Sequence, residues 1–547
     1  MNSYVLQKPK EGFNFMKKTV KRLAALGLTV TSVMGLVACG SDDNKQTETQ
    51  TKKEVTKPGK FKVMVDNTVL AEGNGGEEFY DAIAKHTGLD IEWVRPDHNN
   101  YYKNVSLAFT AKDTMPDVVL VSSDYYAQFA SQGLLWDMSD AWANSETKNS
   151  GRLISSAQNV LDALVVANPD GGKAMYGFSP YRGNGCCTFV SVDWLEAAGY
   201  KKSDVEGKTL TFKQYYEMLT KMKNSGKVTK YGVVSAPGFI SAEAPYTNYL
   251  PEFYQKANYT FYYDEKAKAY VDGFSAQEMK DALSRLATAY KDGILDTNAV
   301  TDNTTSKYRE KFFKGENGLY TYWAGTWANT TVTKLKGNGL STDIVYLEPI
   351  AELGKYVERI APAWCITSKA ENPEGIFKFF IDAMLDGGDV QTDWTYGAEG
   401  TCWSVKGETY KIGDAEKTAE EGVFHFLQQK TATSAYSKNH IDPILSLAAF
   451  KADYKVGNQT GDPGAAAMTE IAKKNGTWFA GVSQVAVALP MTEELSDNIG
   501  AINDARNEVI SLVIQGKMSV DDGMKQYESK VGAKVKTVVD SLNALKK

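Results

Sequence analysis

Four consecutive large apolar residues, Val118, Val119, Leu120 and Val121, stand between Met115-Pro116-Asp117 and Ser122-Ser123. A run this short, mostly β-branched and bounded by turn residues reads as a strand, and its lack of alternation means that both faces are covered. Such strands belong to mainly parallel sheets with helices on either side. The flanking sequence has the matching grammar. Phe61 to Val65 alternates as a strand, Glu77 to Gly88 reads as a helix stopped by Gly88, Ile91 to Pro96 returns as a strand, and Tyr101 to Thr110 is helical. Gly73 to Gly76 is expected to be a flexible loop at a cleft edge.

The same alternation resumes further along. Ser275 followed by Glu278 predicts a capping box, with Met279, Leu283, Leu286 and Tyr290 at helical spacing and Gly293 at the far end. Thr211 opens another helix, with Phe212, Tyr215, Tyr216, Leu219 and Met222 on one side and Gly226 near its stop. Asn372-Pro373 opens a third, where proline in the first turn forfeits no hydrogen bond, and Ile376, Phe379, Phe380 and Ala383 should face inward. Strand-like segments at 230–236, 318–323 and 343–350 lie between them, so a second α/β lobe begins after about Tyr181. Length agrees: residues 61 to 547 number 487, whereas single cores stop growing near ~250–300.

Ahead of the folded body, Met16-Lys17-Lys18, Lys21 and Arg22 precede sixteen mostly apolar residues, Leu23 to Ala38. Crossing a bilayer takes about 20, so the pattern reads as a secretory signal, with Met16 the expected start. Small Val37 and Ala38 before Cys39 resemble a bacterial lipobox, which implies cleavage before Cys39 and a diacylglycerol on its sulfur. Ser41 to Lys60 holds one Val and no other large apolar residue, so it is expected to be a disordered tether.

Charge and motifs narrow the chemistry. The first 38 residues carry six Lys and Arg and one Glu, so a chain cut before Cys39 falls from a net charge of -6 to -11. Nucleic acid is bound through clustered cations, and this acidic body argues against it. Cys186, Cys187, Cys365 and Cys402 are too few for a disulfide scaffold and are expected to be packed thiols. Val205 to Thr209 ends like a phosphate loop but has Lys202 where the first glycine belongs, and the Gly73 loop has Glu78 at the third glycine position of a dinucleotide site. His86, His98, His425 and His440 show no metal-ligand spacing. No cofactor or metal is expected. A glycosidase carboxylate pair depends on separation in space, so that enzyme class stays open at this point.

Aromatic residues make up 11% of the chain, and many sit in loops, among them Tyr125, Tyr126, Tyr181, Trp323, Trp327, Trp364, Trp394, Tyr396 and Trp403. Each is as well explained by packing as by a ligand. A pyranose nonetheless wants a flat apolar face beside polar groups, and Tyr and Trp supply both. Tyr322 to Asn329 is the leading stretch, because Gly325 lets a ligand approach between Trp323 and Trp327. Asp124 and Tyr125 follow, since ligands of α/β sheets bind beyond the carboxyl ends of strands.

Four longer stretches then resemble one family in family order. Met115 to Asp140 resembles a Pro-Asp strand, helix and Gly-Leu-Leu turn; Met175 to Tyr200 a Tyr-Gly crossover into an Asp-Trp-Leu helix; Glu358 to Phe380 a return strand and Asn-Pro-Glu helix; and Tyr396 to Val405 a Tyr-Gly-x-Glu-Gly signature. In the last, Thr401 and Cys402 separate Gly400 from Trp403, where the family's aromatic follows more closely. The family is the family 1 extracellular solute-binding proteins, receptor lipoproteins of ABC importers, and the likeness is strongest to their Gram-positive oligosaccharide-binding branch.

The resemblance implies an α/β, two-lobed periplasmic-binding-protein-like fold with hinge strands and a central ligand cleft. The chain would cross out near Ser179 to Gly183 and back near Ala361 to Ile366. The first lobe would hold residues 61–180 plus about 366–475, and the second about 181–365 plus about 476–547, with the last helices packed on it. Arg182 and Trp364 would face the cleft from the crossovers, and Tyr181, Tyr396, Glu399 and Trp403 would join the site. The implied activity is non-enzymatic: a monomer, lipid-anchored on the outer face of the membrane, passes an oligosaccharide or similar small solute to the transmembrane subunits of a permease. A receptor for a peptide or other polar solute, and a surface glycoside hydrolase, are the alternatives.

Overall fold

Val118–Val121 is a strand with all four residues buried. The computed structural model describes residues 54–67, 76–97, 100–168, 171–227, 231–237, 249–300, 305–399, 403–404, 409–412, 415–418, 425–426, 445–452, 454, 470–487 and 489–545. Cys39, Cys402, His98 and most of the Gly73 loop lie outside them. The described residues from Val55 onward belong to one unit that contains two separate hydrophobic cores.

The first core forms around β1 (Phe61–Met64), α1 (Gly76–Thr87), β2 (Ile91–Val94), α2 (Tyr101–Ala108), β3 (Val118–Val121) and α3 (Ser123–Ser131). β1 lies between β2 and β3 and is parallel to both, with Phe61 opposite Ile91 and Val63 opposite Val118. Gly88 ends α1 at φ +65°, a conformation glycine adopts without strain.

The second core is built on β4 (Cys186–Ser191), α4 (Phe212–Asn224), β5 (Val234–Ser235), α5 (Gln277–Lys291), α6 (Thr305–Phe313), β6 (Leu319–Trp323), α7 (Thr326–Gly337) and β7 (Ile344–Tyr346). The sheet order is β7-β4-β6-β5. β4 runs antiparallel to both its neighbours, so this sheet is mixed where a mainly parallel one was expected. Cys186 and Cys187 are free and buried in it, as Cys365 is in the first lobe.

Two helix starts behave differently from each other. Thr211 caps α4 by accepting from the Gln214 N–H, and Gln214 reaches back to complete the box. Ser275 forms no such box: its hydroxyl donates to Asp272 in a short 3-10 turn, and α5 begins one residue beyond Ala276. The Asn372-Pro373 start forms as expected, with Asn372 accepting from the Gly375 N–H at 3.0 Å. After one turn, however, the helix widens to a π turn over Phe377–Ile381, which rotates Phe377, Phe380, Ile381 and Met384 inward and leaves Phe379 and Ala383 half-buried.

The return passage runs through β8 (Tyr356–Glu358) to β9 (Ala363–Ile366), and β9 adds to the first sheet antiparallel to β3, with Trp364 opposite Leu120. The first core takes in the chain again from Ile360. It includes α8 (Asp389–Tyr396), after which α9 (Glu470–Val482) already packs on α7 in the second lobe. β10 (Ser483–Val485) runs parallel to β8, and α10 (Glu493–Ile514) and α11 (Val520–Ala544) close on α5 in the second core. Three passages thus lie together between the cores: residues 179–185, 356–362 and 483–486.

Candidate functional site

Close approach of backbone to backbone builds this junction. The Arg359 N–H donates to the Asn184 carbonyl at 2.9 Å, and the Ala486 N–H to the Glu358 carbonyl at 2.8 Å. A Cβ on Gly183 would stand 1.9 Å from the Arg359 carbonyl oxygen, and one on Gly185 would stand 2.3 Å from that of Val357. Only glycine fits at either position. Asn184 between them takes φ +60°, and its amide donates to the Ala324 carbonyl at 3.2 Å, which ties the passage to the loop after β6.

Side chains from both lobes converge here. On the first lobe α2 presents Tyr102, 38% exposed, because its neighbour Tyr101 points inward and is anchored by donating to the Leu120 carbonyl at 2.6 Å. Tyr102 stacks on Tyr125 of α3 with centroids 4.7 Å apart and planes 18° apart. The Tyr125 hydroxyl lies 3.3 Å from the Ser106 hydroxyl. Asp124 is exposed beside them in the first turn of α3, and the surrounding protein raises its carboxyl pKa above the ordinary value. On the second lobe Trp323 ends β6 half-buried, with the Arg359 guanidinium 4.7 Å over its ring. Tyr181, buried in the outgoing passage, has its phenol pushed up to about 12 by burial, opposed by the charge of Arg359. The same charge acts on Tyr102, whose pKa burial raises. Tyr102, Tyr125, Tyr181, Trp323 and Arg359 therefore share one neighbourhood.

Trp327 opens onto a second pair. It meets Tyr322 edge-on at 4.6 Å, and the Arg309 guanidinium lies 4.5 Å from the Trp327 centroid and 4.4 Å from that of Tyr322. Arg309 also donates to the Tyr322 hydroxyl and, at 3.3 Å, to Thr305.

The remaining expected site residues lie elsewhere. Trp364 is completely buried, packed edge-on against Phe380 and Trp394, because β9 joins the interior of the first lobe, so its indole offers no face to a solute. Arg182 is turned away into a buried ion pair with Glu358. Tyr396 is buried at the end of α8 and stacks on Phe450 at 6.1 Å, and Glu399 is exposed just beyond it. Trp403 lies in a two-residue strand paired with His425–Phe426, and its side chain is outside the described residues.

Tyr102, Arg309 and Arg359 were not anticipated. Tyr101-Tyr102 carries a usable signal, since adjacent residues on a helix cannot both face the core; the arginines carry none.

Among the described residues no group of three His, Cys, Asp or Glu is placed to hold a metal, and no helix is long and apolar enough to cross a membrane. Two α/β lobes joined by three short passages, with tyrosines, tryptophans and arginines gathered at the join, form the two-lobed architecture of a solute-binding protein.

The family model for bacterial extracellular solute-binding proteins matches residues 70–399. The chain belongs to that family, whose members bind small solutes outside the cytoplasm and deliver them to ABC permeases. Among solved structures, an HMO-binding, ABC-transporter-associated solute-binding protein from Bifidobacterium longum infantis is 14% identical, with 90% of this chain and 99% of that chain covered at a TM-score of 0.58. An N-glycan transport solute-binding protein from Streptococcus pneumoniae is 15% identical, with 90% and 99% covered and a TM-score of 0.55. An ABC substrate-binding protein from Listeria monocytogenes, solved with cycloalternan, is 13% identical, with 87% and 99% covered and a TM-score of 0.52. At these identities the likeness is one of fold. A comparison with curated proteins found no match.

Proposed function

We propose that the solute is a carbohydrate, an oligosaccharide, held at the lobe junction by Asp124, Tyr125, Tyr181, Trp323 and Trp327 together with Tyr102 and Arg359. The observation that carries this reading is the Tyr102–Tyr125 stack beside the Arg359–Trp323 pair. Such a surface offers flat apolar faces to sugar C–H groups and a fan of donors to the hydroxyls at their edges. The three solved relatives, named for HMO binding, N-glycan transport and a cycloalternan complex, support a glycan over a peptide. The receptor acts as a monomer tethered through a diacylglycerol on Cys39, and it hands its ligand to the transmembrane subunits of a permease.

Intrinsic tryptophan fluorescence of the full chain in detergent, titrated with a panel of neutral and acidic oligosaccharides and with control peptides, tests the ligand. A saturable response to one glycan class, lost in Trp323→Ala, is the expected result; a response to peptides alone would overturn it. For the tether, Cys39→Ser should move the protein from the membrane fraction to the medium, and unchanged membrane retention would refute lipid attachment.

A further inference from the structure

Arginines elsewhere in the described structure show what this chain does with a desolvated guanidinium. Arg182 and Arg506 pair with Glu358 and Asp272. Arg152 and Arg285 are turned onto main-chain carbonyls, those of Ala449 at 2.7 Å and Phe253 at 2.7 Å respectively. Each cation that leaves water is given oxygen acceptors, as the cost of burying an unpaired charge requires.

Arg359 is given fewer. Its guanidinium is half-buried over Trp323, and among the described residues it makes one hydrogen bond, from Nε to the Gly183 carbonyl at 2.8 Å. No carboxylate among the described residues lies within ion-pair distance of it, although Glu358 is its neighbour in sequence. Glu358 is already committed to Arg182 and Ser483 on the opposite side of the strand. The Nε bond and the ring beneath fix the plane of the guanidinium, and the two terminal nitrogens carry its remaining donors. Arg309, which also lies over aromatic rings, spends a terminal nitrogen on Tyr322 and Thr305. Arg359 is therefore an oriented, uncompensated fork in an otherwise acidic protein, beside the exposed ring of Tyr102.

A fork of parallel N–H donors matches the two oxygens of an oxyanion, and such charge-assisted pairs are about twice as strong as neutral hydrogen bonds. A neutral sugar could accept from the same nitrogens but would leave the charge uncompensated when the lobes close and exclude water.

We propose that the glycan this receptor takes is acidic, with a carboxylate or sulfate seated on the terminal nitrogens of Arg359 and an adjoining ring lying against Tyr102. The proposal rests on the carbohydrate reading above. Arg359 covers one face of Trp323, and Tyr102, 38% exposed and within reach of the Arg359 charge, offers a second ring.

The test is calorimetric titration of the full chain in detergent with matched pairs: oligogalacturonides against their carboxyl-reduced galactose counterparts, and sulfated chondroitin disaccharides against their desulfated forms. The acidic member of one pair should bind at least about tenfold tighter than its neutral twin, and the gap should narrow as salt is raised. The pair that responds tells carboxylate from sulfate. Arg359→Gln should close the gap, and Arg359→Lys should keep part of it, with melting temperatures confirming that both variants are folded. Equal or tighter binding of a neutral twin, or a gap that survives Arg359→Gln, would overturn this inference and leave the carbohydrate reading standing. Silence toward every glycan, with a response to peptides, would overturn both.

Discussion

Arg182 and Glu358 face each other inside the lobe junction, each with its side chain no more than 4% exposed, one on the outgoing passage and one on the return. The Arg182 Nε donates to Glu358 Oε2 at 3.2 Å, a second bond runs from its terminal nitrogen to Oε1, and the Ser483 hydroxyl from the third passage donates to the same carboxylate. One ion pair thus fastens all three segments on which lobe motion would turn. A buried pair is worth little against a well-packed apolar replacement, but breaking it strands a charge. Glu358→Gln should therefore destabilise the protein by about 3–5 kcal/mol in urea unfolding, and Arg182→Met with Glu358→Leu together should cost less than Glu358→Gln alone. If the double variant is the weaker protein, the pair is doing more than satisfying its own charges.

Trp364 gives a prediction that separates packing from binding. Its indole nitrogen is buried with no hydrogen-bond partner among the described residues. Trp364→Phe loses volume but also removes an orphan donor, and the two effects oppose each other. The expected cost is under ~2 kcal/mol, against ~3–5 for Trp364→Ala, and glycan affinity should be unchanged in the phenylalanine variant. A large loss of affinity in a stably folded Trp364→Phe protein would return this residue to the site.

Gly183→Ala should be disruptive out of proportion to one methyl group. The added carbon must move the Arg359 carbonyl, which is backbone in a residue whose N–H is tied to the Asn184 carbonyl, so strain of ~1–3 kcal/mol follows. The same shift would disturb the Arg359 side chain, since its Nε bonds to the Gly183 carbonyl. Loss of glycan affinity should accompany the fall in urea midpoint, whereas Gly199→Ala, at φ +82° in open space, should lower stability through backbone strain and leave affinity intact.

Local rules read well from this sequence, and relations across the junction did not. The doubly covered strand at Val118, the Thr211 cap and the Asn372-Pro373 start each depend on residues a few positions apart, and each is present. The Ser275 box is absent because Asp272 caps a 3-10 turn that takes in Ser275, so Ala276 becomes the residue before the helix. The inward set of the Asn372 helix shifted because a π turn breaks the 3.6 period on which that expectation rested. Arg182 and Arg359 are alike as letters in a sequence. What separates them is which side of one strand holds Glu358's carboxylate, and that is settled only when segments some 176 residues apart meet.

Asp393 supplies the pH dependence. It sits on α8 with its carboxylate buried 2.7 Å from His86 Nδ1 on α1. Burial pushes its pKa up to about 7; His86 opposes the rise, while Asp389 and Asp386 add to it. An unfolded aspartate titrates near ~3.9. Between about 4 and 7 the folded protein therefore holds a proton that the unfolded chain has released, so this group's contribution to stability falls as pH rises through that window and is level on either side. Asp393→Asn removes the titration. In urea melts between pH 4.5 and 7.5, native protein should gain stability relative to Asp393→Asn as pH is lowered, and His86→Gln, by removing the opposing partner, should extend that gain to higher pH. A difference that stays flat across the window, or grows toward high pH, would mean that Asp393 is ionised throughout and that the His86 contact is an ordinary ion pair.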